Sequence, residues 1–365
     1  MEQRTWRQCR APDPTAATSF TVMSYNILAD ALCQRHPELY DGCSPKALHW
    51  DQRFRSIMQN IVSRQPSVVC LQEVQPDHFL DFERQLRASG YTGHYTEKGG
   101  EATVDGCAIF VKDAEFAVEM TIDIRYRIPE CPVLNRPNVG QAVLLTCQST
   151  ARPLWVANSH LLFNPQRGDI KLMQIGMLLA TVAGHSKERF GPQRWLHVPT
   201  VVAGDFNCTP SSPIIAEFML NGELWFCGRA AAKMSGQSTG NRSRREMQPH
   251  DLFPPSVDGA FSWLVSDRCA IGEETEAGVE VCDRPCHAIT HPFSFHSAYE
   301  HPGNGHHFPS TVHNDVCGTV DYLFAHKLDC IAVQPLLSIA SIDRGQLPSL
   351  SIPSDHQFLL ARFQW

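Results

Sequence analysis

Carboxylate, carboxamide and imidazole side chains stand at the ends of apolar runs in this 365-residue sequence. In the run that starts at Val198, Asp205 and Asn207 lie two positions apart, so a β-strand would direct both to one side of the backbone. Carboxylate and amide oxygens suit a hard divalent cation, and imidazole suits proton transfer. Structural zinc would instead need a closed Cys/His set. The whole set is Asn26, Glu73, His160, Asp205, Asn207, Asp321, Asp355 and His356.

Each of these residues also has a purely structural explanation. The segment from Asp205 to Asn207 could be a simple turn, and the pair at Asp355 could be another. Glu73 could cap the helix after it, and His160 could be a satisfied core histidine. Together they favour a functional site. Residues that only form turns at half a dozen strand ends would not all have to carry carboxylate, carboxamide or imidazole groups.

Strands and helices must alternate along the chain to position these residues. Apolar runs predict strands over residues 20–27, 67–74, 106–111, 140–147, 154–160, 198–206, 318–325 and 357–363. Helices are predicted after Ser44-Pro45 and Ser212-Pro213, where a capping residue precedes proline. Two more are predicted over about 77–88 and 170–188. This mixture favours a single α/β domain.

The domain is expected to carry two less regular segments. Residues 1–18 predict a flexible lead-in, and residues 19–365 predict one catalytic domain with a loop-rich insertion at about 224–313. A protein partner could dock on this insertion, and we otherwise expect a monomer. The net charge of −7 and the pI near 6.2 argue against a broad basic face for long nucleic acid. A short or end-directed anionic substrate is compatible with them.

The cellular setting is predicted from the cysteines and from hydropathy. Several of the 14 cysteines, such as Cys70 and Cys107, lie in strand-like apolar runs, where a reduced thiol acts as a small hydrophobe. No signal-peptide core and no run of membrane-spanning length is recognised. We therefore expect no membrane association and a reducing compartment, the cytoplasm, with the nucleus as a further location.

Part of the insertion offers weaker signals for ligand binding. The motif Cys282-Asp-Arg-Pro-Cys286-His287, with His291 nearby, could bind zinc, but its spacing is irregular and no second cysteine pair supports it. A loosely held surface loop is the favoured interpretation. The other histidines and the arginines of this region could meet metal ions or RNA phosphates, against a default of solvated loops. They are His296, His301, His306, His307, His313, Arg242, Arg244 and Arg245.

Six short motifs occur in the order typical of the endonuclease/exonuclease/phosphatase superfamily. They are Ser24-Tyr-Asn26, Leu71-Gln-Glu73, Asn158-Ser-His-Leu161, Gly204-Asp-Phe-Asn207, Val320-Asp-Tyr322 and Ser354-Asp-His356. Residues 70–78 and 160–172, with 138–140 and 235–237, resemble the Angel proteins, which are relatives of nocturnin and of the poly(A)-removing nucleases. The resemblance implies a four-layer α/β sandwich, in which two packed mixed β-sheets are flanked by helices.

The resemblance also implies a metal site. It makes Glu73 the principal Mg²⁺ ligand, with Asn26 beside it and Asp355 as a further candidate ligand. Mn²⁺ could replace Mg²⁺, and the number of ions is left open. Arg167 and Lys171 are candidates for secondary phosphate contacts, with solvated charges at a helix start as the equal alternative.

Roles in catalysis follow from the same resemblance. Asp205 would accept a proton from the attacking water, and Asn207 would hold that water or a phosphate oxygen. His160 would contact the scissile phosphate. His356 would stabilise the pentacovalent phosphorus, with Asp321 as its orienting carboxylate. Such a set suits phosphoester hydrolysis, which needs charge neutralisation and an in-line water more than covalent help.

The predicted substrate is the 3′ end of RNA. Angel proteins are associated with removal of a terminal 2′,3′-cyclic phosphate, so a Mg²⁺-dependent 2′,3′-cyclic phosphatase is the leading hypothesis. Poly(A)-removing relatives sandwich the terminal adenine at positions that match Thr311 and Asn314, and neither can stack on a base. Phe308, Phe295 or a nearby histidine could substitute, so a deadenylase is one alternative. A non-catalytic scaffold that binds RNA or a translation factor is another, but the complete motif set disfavours it.

Overall fold

The structure is a computed structural model that describes residues 4–13, 18–100, 104–128, 131, 133–237, 246–247, 252, 265–266, 288–301, 306–313, 316–342 and 345–365. The strands are β1 (Arg7–Gln8), β2 (Ser19–Asn26), β3 (Val68–Val74), β4 (Tyr91–Glu97), β5 (Gly106–Lys112), β6 (Phe116–Arg127), β7 (Asn135–Cys147), β8 (Pro153–His160), β9 (Thr200–Asp205), β10 (Glu223–Trp225), β11 (Val265–Ser266), β12 (Ala288–Thr290), β13 (Phe295–Ser297), β14 (Thr311–His313), β15 (Val316–Gly318), β16 (Asp321–His326), β17 (Asp329–Val333) and β18 (Leu359–Gln364).

Helices connect many of these strands. The α-helices are α1 (Asp30–Arg35), α2 (Pro45–Leu48), α3 (Trp50–Arg64), α4 (Pro76–Arg87) and α5 (Gly168–Phe190). Short 3₁₀ segments cover Pro37–Tyr40, Trp195–His197, Ala231–Lys233 and Ile339–Ser341, and Ile214–Met219 is π-helical. None of the helices within the described ranges is long and apolar enough to cross a membrane.

Two large mixed sheets form the centre of the molecule. The first has the strand order β1-β17-β18-β2-β3-β5-β4, and the second has the order β13-β16-β9-β8-β7-β6. The pairs β2/β3 and β8/β9 are parallel. In each sheet, the carboxyl ends of these two neighbouring strands therefore lie side by side. The short strands β10, β12 and β11 form a smaller sheet, and β14 pairs with β15.

Alternating side chains on the strands divide the core into layers. On β2, Val22 faces the second sheet, whereas Met23 packs against α3 and α4. On β9, Val201 faces the first sheet and Val202 packs against α5. Burial of each such side chain contributes about 1.5–3 kcal/mol. The arrangement is helix, sheet, sheet, helix, and the predicted four-layer α/β sandwich is confirmed.

Two helix starts differ in detail from the sequence prediction. The Ser44 hydroxyl accepts a hydrogen bond from the Ala47 amide at 3.3 Å, as expected of a cap, but α2 then stops at His49, whose backbone is extended. The predicted helix is therefore two helices, α2 and α3. The segment after Ser212-Pro213 is a π-helix over Ile214–Met219, a helix type in which backbone hydrogen bonds join residues five positions apart rather than four.

Among the described strands of five or more residues, three were not predicted from the sequence. They are β4, β6 and β17, and β6 lies at the edge of the second sheet with mostly exposed side chains. Charged residues on an exposed edge strand weaken the apolar signal that marks buried strands. Within the predicted lead-in, Arg7 and Gln8 pair with Val333 and Ala332. Within the predicted insertion, Phe295–Ser297 extends the second sheet beside β16.

Candidate active site

Strand register brings three of the predicted residues together at one edge of the second sheet. In the parallel pair β8/β9, His160 lies opposite Asp205. In the antiparallel pair β9/β16, Asp205 lies opposite Asp321. Gly204 makes this possible, because its φ is +143° and an added Cβ would lie 2.0 Å from the Ser159 carbonyl oxygen.

A bulge in the first sheet turns Glu73 toward the same place. The register shifts between Gln72 and Val74, and Glu73 has a φ of +61°, which is unusual for a residue with a Cβ. The Ala29 amide donates to Glu73 Oε2 at 2.9 Å and fixes the carboxylate. A strained conformation of this kind costs about 1–3 kcal/mol and is common at functional sites.

Asn26 joins the two sheets. Its amide nitrogen donates to Glu73 Oε1 and to Asp205 Oδ2, each at 3.0 Å. Its oxygen accepts the Leu28 amide at 3.1 Å. The carboxylates of Glu73 and Asp205 therefore face one another across a single buried amide.

The buried carboxylates of the site are electrostatically crowded. Burial, and then the charges of Asp105 and Asp355, raise the pKa of Glu73. Burial, followed by the charge of Asp321, raises the pKa of Asp205 to about 7. Such a donor set fits a divalent cation, because a positive ion would relieve the repulsion between oxygen ligands. Oxygen donors of this type are the ones that Mg²⁺ and Mn²⁺ prefer.

Asp321 and His356 form a charged pair behind Asp205. The Nδ1 atom of His356 lies 2.8 Å from Asp321 Oδ2, which also accepts the Ser310 hydroxyl at 2.6 Å. Burial lowers the pKa of His356, but the charges of Asp321, Asp355 and Asp205 outweigh it and hold the pKa well above its usual range. His356 is therefore cationic, with Nε2 3.8 Å from Asp205 Oδ2.

Asp205, Asp321 and His356 also form the one group of three whose ligand atoms lie within 4.8 Å of one another among the residues described. The hydrogen bond between Asp321 and His356 already uses Nδ1, and the imidazole is protonated. These three residues are therefore better suited to proton transfer, with Asp321 and His356 as a hydrogen-bonded pair, than to metal binding. The side that carries Glu73 fits a cation better.

His160 is neutral. Its Nε2 lies 3.6 Å from Asp205 Oδ2 and its Nδ1 lies 4.0 Å from Glu73 Oε1. Burial, and then the positive charges of Lys98 and His356, keep the pKa of His160 well below its usual value. Among the described residues, Nδ1 has no hydrogen-bond partner, so this buried atom remains available to a ligand.

Asn207 and Lys171 are coupled through the backbone. The backbone amide of Asn207 donates to Asp205 Oδ1 at 2.9 Å, and the side-chain nitrogen of Asn207 donates to the Leu161 carbonyl at 3.2 Å. The buried Lys171 ammonium donates to the Asn207 carbonyl at 2.6 Å and to Gln237 Oε1 at 2.9 Å. Lys171 thus lies behind Asn207 and does not line the cavity.

Arg167 and Asp355 are also held by partners. The guanidinium of Arg167 makes paired contacts with Asp169 at 2.8 and 2.9 Å, away from the cavity wall. Asp355 lines the cavity, and its Oδ2 accepts the Tyr40 hydroxyl at 2.9 Å. Burial, followed by the Asp355 charge, raises the pKa of Tyr40, so the phenol remains a donor.

These groups open into one cavity of about 600 Å³. Apolar side chains of the segment after β2, including Leu32 and Leu39, form one wall. Phe163 also lines the cavity, and 59% of its surface is exposed. Predicted site residues on the cavity wall are Glu73, His160, Asp205, Asn207, Asp355 and His356, while Asn26 and Asp321 lie directly behind them.

Several lining residues escaped the sequence reasoning, among them Asp105, Lys98 and Tyr40. Asp105 opens the apolar run 106–111, so the strand-end criterion used for the other residues could have found it. Lys98 and Tyr40 have no comparable signal, because neither borders a run with clear strand or helix periodicity.

The residues considered for base stacking are dispersed. Thr311 is buried on the cavity wall and donates to the Asp355 carbonyl at 3.1 Å. Phe295 is in the core, and Phe308 is exposed but does not line the cavity. Asn314 lies outside the described residues, as do Cys282–His287 and the arginines 242, 244 and 245. His291 is buried, and its ring packs against the ring of Phe218.

The two-sheet fold and this set of carboxylates, amides and histidines define a phosphoesterase. The chain belongs to the Endonuclease/Exonuclease/phosphatase family, whose model matches residues 23–356.

Within the family, the chain is similar to Angel proteins, as the motifs predicted. It is 33% identical to Protein angel homolog 2 of Homo sapiens over 94% of this chain and 69% of that protein. The crystal structure of ANGEL2, a 2′,3′-cyclic phosphatase, in complex with adenosine-2′,3′-vanadate matches with a TM-score of 0.84 and 33% identity, over 100% of this chain and 99% of the other. The human nocturnin catalytic domain with bound sulfate shares the fold, with a TM-score of 0.57 and 22% identity over 99% and 97% of the two chains.

Proposed function

We propose that this protein hydrolyses terminal 2′,3′-cyclic phosphates at RNA 3′ ends with the help of a divalent cation. The observation that carries the proposal is the convergence of Glu73, His160 and Asp205 on one cavity from two different sheets. The similarity to ANGEL2 over the full length of the chain supports the choice of a cyclic phosphate as substrate.

The proposed cation site consists of Glu73 with Asn26 and Asp355. Bound Mg²⁺, or Mn²⁺ in its place, would neutralise charge on the phosphate. The protein keeps the ligands in place through the Ala29 amide on Glu73 and the Tyr40 hydroxyl on Asp355.

Proton handling is assigned to Asp205. Its pKa of about 7 suits a base that takes a proton from the attacking water near neutral pH. The water oxygen bonds to phosphorus, one of the two ring P–O bonds breaks, and the released ribose oxygen takes up a proton. Asn207 is fixed against Asp205 Oδ1 and would hold the attacking water or a phosphate oxygen.

The two histidines have different tasks because their charges differ. Cationic His356, held by Asp321, would stabilise the negative charge that develops on the pentacovalent phosphorus. Neutral His160 would contact the phosphate from the other side of Asp205. Arg167 and Lys171 are bound to other partners, so we do not assign them direct phosphate contacts.

The cavity favours one terminal nucleotide over a poly(A) tract. Its volume of about 600 Å³ is in the range of small-molecule sites. Thr311 offers no π-face for a terminal adenine. Deadenylation therefore remains only as the alternative outcome of the test below.

The test presents matched oligoribonucleotides that end in a 2′,3′-cyclic phosphate, a 3′-phosphate or a poly(A) tail with a free 3′-hydroxyl. We expect rapid loss of the cyclic end with Mg²⁺ present, and no loss for the Glu73→Gln variant. Shortening of the tail with an intact cyclic end would instead support a deadenylase. Identical behaviour of Glu73→Gln and wild type on every substrate would support the scaffold interpretation.

A further inference from the structure

Lys98 is a lysine on the wall of the cavity that no sequence motif pointed to. It follows β4, and its ammonium forms an ion pair with Asp105 Oδ2 at 2.6 Å. Its side chain is 10% exposed and that of Asp105 is 5% exposed, so the pair is largely removed from water. A buried lysine without a partner would be costly, and Asp105 offsets that cost.

The position of Lys98 is fixed by the backbone as well. The Lys98 amide donates to the Asp105 carbonyl at 3.0 Å, where β4 and β5 leave their ladder. At the next residue, Gly106, an added Cβ would lie 2.3 Å from the Thr96 carbonyl oxygen. The two strands therefore approach closely, and the backbone that carries the Lys98 side chain is held in place by its pairing with the residues around Asp105.

The charge of Lys98 reaches both halves of the site. Burial lowers the pKa of Lys98, but the charges of Asp105 and then Glu73 outweigh it and raise the pKa. In turn, the charge of Lys98 is, after burial, the main cause of the low pKa of His160. Lys98, Glu73 and His160 line the same cavity, so the ammonium acts electrostatically on both the carboxylate proposed to bind the cation and the imidazole proposed to contact phosphate.

The basic residues expected at the phosphate are engaged elsewhere. Arg167 is bound to Asp169, and Lys171 is bound to the Asn207 carbonyl and Gln237. Neither lines the cavity, whereas Lys98 does. Cationic His356 supplies one fixed positive charge in the cavity, and Lys98 supplies a second, beside Asp105 and Glu73, where an anionic phosphate would otherwise face carboxylates.

We propose that Lys98, held by Asp105, is a phosphate-binding residue of this site. The inference rests on the proposed function only in that the cavity binds a phosphoester. Lys98 has opposite effects on the two ligands. Its positive charge attracts the phosphate and repels a cation at Glu73.

This opposition gives a test that a merely structural role would fail. Calorimetry on the full-length protein would measure Mn²⁺ binding without substrate, and inorganic phosphate binding with Mg²⁺ present. Lys98→Met should weaken phosphate binding about 10- to 100-fold, the range for loss of a charged hydrogen bond. Its Mn²⁺ affinity should be unchanged or tighter. Lys98→Arg should keep phosphate binding close to wild type.

Control variants separate charge from folding. Lys112→Met removes a lysine that pairs with Glu115 at 3.5 Å at the far end of β5, outside the cavity, and should change neither affinity. Lys98→Gln keeps a hydrogen-bonding side chain without the charge and provides a second neutral variant. Thermal unfolding of each variant shows whether the fold is retained.

Several results would overturn the proposal. They are phosphate affinity that falls less than about threefold in Lys98→Met and Lys98→Gln, a joint fall in Mn²⁺ and phosphate affinity, and a wild-type protein that binds no phosphate. Failure of the proposed function looks different. In that case the wild-type protein leaves cyclic ends intact but still binds phosphate, and Lys98→Met weakens that binding. Lys98 would then keep its phosphate-binding role, with another phosphoester as the substrate.

Discussion

Asp205 is the residue on which most contacts of the site converge. It accepts hydrogen bonds from Asn26 and Asn207 and lies within 4 Å of nitrogen atoms of His160 and His356. Its spacing from Asn207 is local, so the sequence could predict that the two residues act together. The partners that set its pKa come from distant parts of the chain, and no local pattern reports them.

The raised pKa of Asp205 has a consequence for stability. Because the folded-state pKa of about 7 lies above the ordinary value of 3.8, this carboxyl stabilises the fold in its protonated form. That contribution is full below about pH 4 and is lost as the pH rises through about 7.

The Asp205→Asn variant should therefore be more stable than wild type at pH 8 in the absence of divalent cations. At pH 5 the difference should shrink, because the wild-type carboxyl is then largely protonated. The same variant should lose about 10²- to 10⁴-fold in hydrolysis rate, the usual contribution of a general base. Thermal unfolding with a chelator at both pH values is the measurement. A variant less stable than wild type at pH 8 would contradict the account.

The Asp321–His356 pair leads to a prediction about the pH dependence of activity. Asp321 is the charge that most raises the pKa of His356. In Asp321→Asn that pKa should fall, so the cationic imidazole is lost at lower pH and the rate should decline earlier as the pH rises. Rates from pH 5 to 10 would show the shift. Asp329→Asn, which removes an exposed carboxylate on β17, should leave the profile unchanged, and an unshifted profile in Asp321→Asn would count against the role of the pair.

At the scale of elements, the site depends on two strand features that local sequence does not specify. The bulge at Glu73 needs a positive φ, which is a tertiary outcome rather than a propensity of glutamate. The contact between β8 and β9 needs Gly204, and here the glycine is visible in the sequence although its reason is not. The paired sheets themselves were predictable because apolar strand runs are strong signals, whereas the exposed edge strand β6 was not.

Gly204 can be tested directly. Gly204→Ala should destabilise the protein by more than about 2 kcal/mol, since the new Cβ would meet the Ser159 carbonyl and the φ is unfavourable. Gly184→Ala is the matched control on α5, where a Cβ meets nothing within 4 Å. That variant should be neutral or more stable by up to about 1 kcal/mol. Denaturant unfolding of both variants is the measurement, and equal stabilities would refute the proposed close approach.

At the scale of the whole molecule, charge and cavity size limit what the protein can read. The net charge of −7 argues against a broad basic surface, and the cavity of about 600 Å³ suits a terminal nucleotide. Composition could predict this restriction. It could not reveal that Lys98 would line the cavity while Lys171 binds the Asn207 carbonyl and Gln237, because the cavity wall and the partners of Lys171 come from segments far apart in the chain.

Substrate length should therefore have little effect. The KM for a cyclic-phosphate end should level off within a few nucleotides, and affinity should fall with salt with a log–log slope of about −1, as for one or two phosphate contacts. A length series from a dinucleotide to a 20-mer at two salt concentrations would measure both. A KM that keeps falling with length, or a steep salt slope, would reveal an RNA track outside the cavity.

The central claim is that water attacks the cyclic phosphate and leaves the rest of the RNA intact. The most direct measurement is mass spectrometry of a cyclic-ended oligoribonucleotide after reaction in ¹⁸O-labelled water with Mg²⁺. The account predicts one ¹⁸O atom in the terminal phosphate, an unchanged chain length, and no incorporation with Glu73→Gln. Labelled mononucleotides released from a shortened chain that keeps no terminal phosphate, or equal incorporation with Glu73→Gln, would contradict it.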